Sequence, residues 1–141
     1  MNLRCGMFGI IALVNGCLPA HSQSRTEIYD LQERCAKSAA EMFEKDFPND
    51  NRQGSTYVNN YNVRLNKCFM LDETTKTIWN QEKTKMYRTH ELMLVDVNGN
   101  KLSGSVSSTN GVLDGTYCEV QERKCHSEQE FRTLVRPFME D

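Results

Sequence analysis

Apolar residues recur at steps of three and four through Ile28, Leu31, Cys35, Ala39 and Met42, the spacing of one helical face. Ala36, Ala40, Phe43 and Phe47 widen the stripe. Immediately before it, Ser24-Arg25-Thr26-Glu27 has the form of a capping box, in which a serine hydroxyl and a glutamate satisfy each other's backbone amides. The pattern predicts a helix from about Arg25 to Asp46. Phe47-Pro48-Asn49-Asp50-Asn51 stops it, and a polar loop runs to about Thr56.

The period then changes to two. Tyr61, Val63 and Leu65 alternate with Asn62, Arg64 and Asn66, so Tyr57 to Leu71 reads as extended. Strict alternation turns Cys68 away from Leu65. Either a bulge lies near Asn66 or that strand end is buried on both faces. Asp72 to Lys85 is polar, with Ile78 and Trp79 as its large apolar groups, and is expected to be a long hairpin loop or a short helical turn. Glu91 to Val97 is the clearest strand. Asn98-Gly99 suits a two-residue hairpin turn, Lys101 to Ser107 returns, Ser108 to Gly115 turns again, and Thr116 to Val120 is a further short strand. A second capping box, Ser127 to Glu130, opens a helix whose buried face is Phe131, Leu134, Val135 and Phe138. Pro137 is expected to end or kink it near Arg136. The whole predicts an α+β domain: an N-terminal helix, an antiparallel three- to four-stranded sheet and a C-terminal helix, packed in two layers.

The N-terminus follows a different logic. Met1-Asn2-Leu3-Arg4 carries one positive side chain, Cys5 to Val14 is an uncharged apolar run, and Asn15 to Ser22 is polar and turn-prone. That is the anatomy of an export signal. Two cleavage readings compete. Small residues at Ala20 and Ser22 place the cut after residue 22, leaving residues 23–141 as a single domain. Val14-Asn15-Gly16-Cys17 instead resembles a lipobox, with residues 1–16 as the signal and Cys17 lipidated, although Asn15 departs from that pattern. The apolar run is too short to span a bilayer.

Export changes the reading of the cysteines. Cys5 falls in the signal, and Cys17 is either discarded or lipidated. Cys35, Cys68, Cys118 and Cys125 remain, an even number that reads as two disulfides in an oxidising compartment. Of three connectivities, Cys35–Cys68 with Cys118–Cys125 is preferred, because the second pair is local and the first ties a helix to a strand. The chain is mildly acidic, with 17 basic against 19 acidic residues, which argues against the dense basic face of a nucleic-acid binder.

Candidate chemistry is sparse. Asp96-Val97-Asn98-Gly99-Asn100 has oxygen ligands at alternate positions, but its glycine and final carboxylate are misplaced for a calcium loop. Cys118, Cys125, His126 and His90 are metal-ligand types without a zinc-knuckle spacing. His90 and Glu91 are neighbours in a strand and point to opposite faces. Asp72-Glu73 reads as a solvated carboxylate pair. The tyrosine and amide cluster Tyr57, Asn59, Asn60 and Tyr61 is the leading candidate surface for a protein or glycan, against the plainer reading of a strand whose tyrosines pack on the core.

Tyr29-Asp30-Leu31-Gln32-Glu33-Arg34-Cys35, Tyr61-Asn62, Leu65-Asn66-Lys67-Cys68 and the C-terminal Cys-x6-Cys followed by a short helix resemble small exported proteins of unknown function in Gram-negative bacteria. The resemblance implies a periplasmic or secreted setting and carries no catalytic residue. The expectation is therefore a non-enzymatic binding or accessory domain of the envelope. It has no cofactor, metal or nucleic-acid partner, and it meets the membrane only through a lipid on Cys17. The alternatives are an inhibitor or immunity protein acting on an envelope hydrolase, through the Asp72–Lys85 or Cys118–Cys125 loop, and a small hydrolase using His90 with Asp72 or Glu73.

Overall fold

A computed structural model describes residues 24–48, 54–80 and 82–140. The signal readings, the lipobox at Cys17 and most of the polar connection after the first helix lie outside them. Helix α1 spans Arg25–Asp46. The Ser24 hydroxyl accepts from the Glu27 amide at 3.2 Å and the Ser24 amide donates to the Glu27 carboxylate at 2.7 Å, so the capping box is complete. Cys35, Ala39 and Phe43, four apart, form its buried line.

Six strands follow, all antiparallel and in chain order: β1 (Ser55–Asn62), β2 (Lys67–Trp79), β3 (Met86–Asp96), β4 (Lys101–Thr109), β5 (Val112–Val120) and β6 (Arg123–Lys124). Helix α2 (Glu128–Met139) closes the chain. The α+β order of helix, antiparallel sheet and helix is as the sequence predicts. The sheet has six strands rather than three or four because the expected Tyr57 to Leu71 segment divides into β1 and β2 and because β6 adds a short pairing to β5. β2 is also longer than expected. It continues through residues 72–79, expected to be a hairpin loop or a short helical turn, and pairs with β3 as far as Trp79 opposite Met86.

The two helices also occupy opposite faces, so the sheet lies between them rather than beside a single helical layer. Cys68, Phe69 and Met70 are all buried. Cys68 is bonded to Cys35 of α1, whereas the Phe69 ring stands edge-on to Phe138 of α2, with centroids 5.2 Å apart. The run from Tyr57 to Leu71, expected to be one extended segment, is instead β1 and β2 joined by a turn over residues 63–66, with Asn66 left-handed at φ 52°. The alternation breaks between Leu65 and Cys68 because the chain reverses there. Beyond the turn, consecutive residues point to opposite faces, and Cys68 and Phe69 are buried on both. On the α1 face Cys35, Ala39 and Phe43 meet Tyr61, Cys68 and Met70. On the α2 face Phe131 and Val135 meet Phe69, Leu92, Leu94, Val106 and Val120. Gly104 lies opposite Leu94 on one side and Val120 on the other. A Cβ there would come within 2.8 Å of the Glu119 carbonyl.

Turn chemistry sets the strand ends. The β3–β4 turn takes four residues, 97–100, rather than the two expected. Asn100 is the left-handed residue, at φ 46°, and the Gly99 amide instead donates to the Asp96 carboxylate at 3.0 Å. The two-residue turn comes later. Asn110 and Gly111, at φ 51° and 81°, join Thr109 to Val112, with the positive pair that matches strand twist. Gln121 and Glu122 close the β5–β6 hairpin the same way, at φ 46° and 68°.

Helix α2 begins where Ser127 accepts from the Glu130 amide at 3.1 Å, but Glu130 turns its carboxylate to the His126 amide, so this cap is one-sided. Pro137 does not end the helix, which continues to Met139. Asn62, 1 % exposed, holds that end from the sheet: its amide donates to the Pro137 carbonyl at 2.9 Å, and its side-chain oxygen accepts from the Leu65 amide at 2.9 Å.

Candidate functional site

The cysteines pair as preferred, Cys35 with Cys68 and Cys118 with Cys125. The first bridge ties α1 to β2. The second spans the mouth of the β5–β6 hairpin, where the Cys125 amide also donates to the Cys118 carbonyl. All four thiols are thereby consumed, which removes Cys118 and Cys125 from any zinc set. Among the described residues no helix is long and apolar enough to cross a membrane.

The Tyr57–Tyr61 cluster is divided between the two faces of β1 and turned inward. Tyr57 stacks on Phe43 with centroids 4.5 Å apart. Tyr61 is buried and its hydroxyl donates to Asn66. Asn59 lies over the Cys35 sulfur. Asn60, on the other face, donates to the Phe138 carbonyl at 3.2 Å. These residues hold helices to the sheet rather than forming one surface.

Asp72 and Glu73 are strand residues on opposite faces, not a solvated loop pair. Asp72 is 2 % exposed beneath α1, and its Oδ1 has no hydrogen-bond partner among the described residues. Burial, together with the nearby Glu91 and Asp46 carboxylates, pushes its pKa up to about 7.

Glu73 belongs to a ring of charges that sequence spacing does not reveal. His90 Nε2 lies 2.9 Å from Glu73 and Nδ1 lies 2.9 Å from Glu128, at the start of α2. The Arg132 guanidinium bonds the second oxygen of each carboxylate, at 3.2 Å to Glu73 and 2.9 Å to Glu128. Both imidazole nitrogens can donate only in the doubly protonated ring. Burial opposes ionisation of Glu73 and Glu128, but hydrogen bonds from His90 and Arg132 outweigh it and hold both carboxyls below the usual glutamate range. His90 therefore does pair with acids, though with Glu73 and Glu128 rather than Glu91 or Asp72. With both nitrogens occupied, it is a clamp between sheet and helix.

The exposed chemistry lies elsewhere. β1 pairs with β2 only as far as Ser55 opposite Thr74, and β4 pairs with β3 only as far as Thr109 opposite Thr89. Beyond these pairs β2 and β3 continue as a two-stranded ribbon, unflanked by other strands among the described residues. At about 3.3 Å per residue, Thr75 to Trp79 carries the ribbon about 15 Å past the sheet. Its end exposes two cross-strand apolar pairs, Ile78 with Tyr87 and Trp79 with Met86. Trp79 and Met86 are 56 % and 59 % exposed. Asn80 organises the connecting loop. Its side-chain oxygen accepts from the Thr84 and Lys85 amides at 2.8 and 3.0 Å, its amide group donates to the Thr84 hydroxyl, and its backbone amide donates to the Lys85 carbonyl. Lys76, Lys83, Lys85 and Arg88 are exposed around this apolar end, against the single carboxylate of Glu82.

The large apolar groups of residues 72–85 were the available sequence signal for this site. Met86 and Tyr87 join them only through strand register. No protein-family model, curated protein or solved structure matches the chain.

Proposed function

We propose that this chain is an exported, non-enzymatic binding domain of the bacterial envelope, periplasmic or secreted, or lipid-anchored through Cys17, and that the end of the β2–β3 hairpin is its contact element. The observation that carries the reading is the exposure of Ile78, Trp79, Met86 and Tyr87 together on a loop already ordered by Asn80. A contact made by a pre-ordered loop loses little conformational entropy on binding. Two disulfides favour a compartment in which thiols oxidise, and the signal-like N-terminus supplies the route. The non-enzymatic part is supported by His90, whose ring nitrogens are both engaged by the Glu73 and Glu128 carboxylates between sheet and helix.

The same hairpin fits the inhibitor alternative, in which it would enter the acidic cleft of an envelope hydrolase, its four cations facing the carboxylates there.

A photo-crosslinking residue in place of Ile78, in cells producing the full chain, tests the contact. An adduct with an envelope component, absent for the same probe at Lys101, is the expected result. Identical background from both positions overturns the assignment.

A further inference from the structure

The hairpin end combines two features that a purely apolar protein contact does not need together. Ile78, Trp79, Met86 and Tyr87 present apolar and aromatic surface on both faces of the ribbon. Around them stand four cations and one carboxylate, a local charge of +3 in a chain whose formal net charge is −2. The rest of the sequence therefore carries −5. Such a molecule is strongly polarised along the hairpin, with an acidic body and a cationic, apolar tip.

Trp and Tyr favour the water–hydrocarbon boundary because their rings are apolar and their N–H or O–H groups remain hydrated. Lysine and arginine lay their stems along apolar surface while their charged ends reach phosphates. Each cation near an anionic bilayer adds to its attraction. A second copy of the same tip would bring four cations against four, so self-association through this surface is disfavoured. A neutral apolar partner would leave the cations unused.

We propose that the end of the β2–β3 hairpin docks on an anionic lipid surface, with Ile78, Trp79, Met86 and Tyr87 entering the headgroup region and Lys76, Lys83, Lys85 and Arg88 facing lipid phosphates. This rests on the hairpin being the contact element and names what it contacts. Repulsion between the acidic body and the bilayer sets the orientation, tip down. The connection is reversible, since four side chains bury far less apolar area than a spanning helix.

Trp79 is the chain's single tryptophan, so its emission reports on this site alone. The test uses the disulfide-intact secreted chain with vesicles of phosphatidylcholine, with or without about one-third phosphatidylglycerol. A blue shift with anionic vesicles, little with neutral ones, and quenching by brominated acyl chains are expected. High salt should reverse the shift. The K76Q/K85Q variant, altered at two exposed positions, should bind about 30-fold more weakly, with its circular dichroism unchanged. No shift with anionic vesicles, or an equal shift with both compositions, overturns the lipid assignment. If vesicles give no shift while the probe at Ile78 still captures an envelope protein, the hairpin remains the contact element and lipid is excluded. Silence in both experiments overturns both readings.

Discussion

Cys68 and Phe69 are consecutive in β2 and belong to different cores: the sulfur is bonded to α1, and the ring stands against Phe138 of α2. One strand therefore anchors both helices. Replacing Phe69 by Ala is expected to cost about 3–5 kcal/mol through the cavity it leaves. Removing the Cys35–Cys68 bridge with a double Ser variant should cost about 4 kcal/mol through loop-closure entropy. Urea unfolding of the two variants measures both, and Phe69→Ala should leave the disulfide content unchanged.

Asn62 caps a helix that it does not belong to. Its side chain bonds the Pro137 carbonyl and the Leu65 amide from a fully buried position. Asn62→Ala removes the Leu65 amide's acceptor and leaves the Pro137 carbonyl with the Arg64 guanidinium at 3.4 Å, and should lower stability by about 1–3 kcal/mol. Hydrogen exchange should quicken at both places, in the β1–β2 turn and in the last turn of α2.

The His90 ring predicts an acid limb in the stability curve. Glu73 and Glu128 titrate below their ordinary value of 4.5 in the folded chain. The unfolded chain therefore takes up protons first as pH falls. The stabilisation is complete above pH 4.5 and is lost as pH drops through the lower folded values. Both carboxylates are more than one-third exposed, so the effect is modest, about 1 kcal/mol or less. Urea midpoints for Glu73→Gln, measured from pH 2.5 to 6, should show a shallower acid limb than the parent.

Asp72 predicts a limb of the opposite sign. Its folded pKa of about 7 lies above the ordinary 3.8, so the native state holds a proton that the unfolded state releases. The resulting penalty is absent below about pH 4, grows between 4 and 7, and is complete above 7. Asp72→Asn should therefore gain on the parent as pH rises, by on the order of 2–4 kcal/mol at pH 8, and lose that advantage near pH 4. A constant difference across this range would show that Asp72 does not titrate there. With the glutamate limb, the parent should be most stable at mildly acidic pH.

The β5–β6 turn holds Gln121 and Glu122 left-handed without a glycine, a conformation that costs each L-residue about 1–2 kcal/mol. The double substitution Gln121→Asn with Glu122→Gly installs the residue pair that tolerates this turn best. It should raise the thermal midpoint by several degrees, consistent with a gain of about 1 kcal/mol, and should leave Cys118–Cys125 formed.

How much of this was legible follows from how each element is solvated. Both helices could be read because each wets one side, leaving stripes such as Cys35-Ala39-Phe43. The outer half of β2 could not, because Lys76 to Trp79 is open to solvent on both faces and shows no alternation. The continuation of α2 through Pro137 depends on Asn62, 75 residues away. The ring around His90 joins residues 17 and 38 positions away, a distance that only strand register and helix docking close. Asn98-Gly99 carried a strong local turn signal, but Asp96 bonded the Gly99 amide and moved the left-handed residue to Asn100.

The Cys35–Cys68 bridge has a consequence for survival among proteases. A single cut anywhere in the connection between α1 and β1 severs the chain without releasing the helix, since the two fragments remain one covalent molecule. Such nicked material would co-migrate with the intact chain until a reductant separates the pieces. A domain so stapled can tolerate damage at its longest polar connection and keep its projecting end in place.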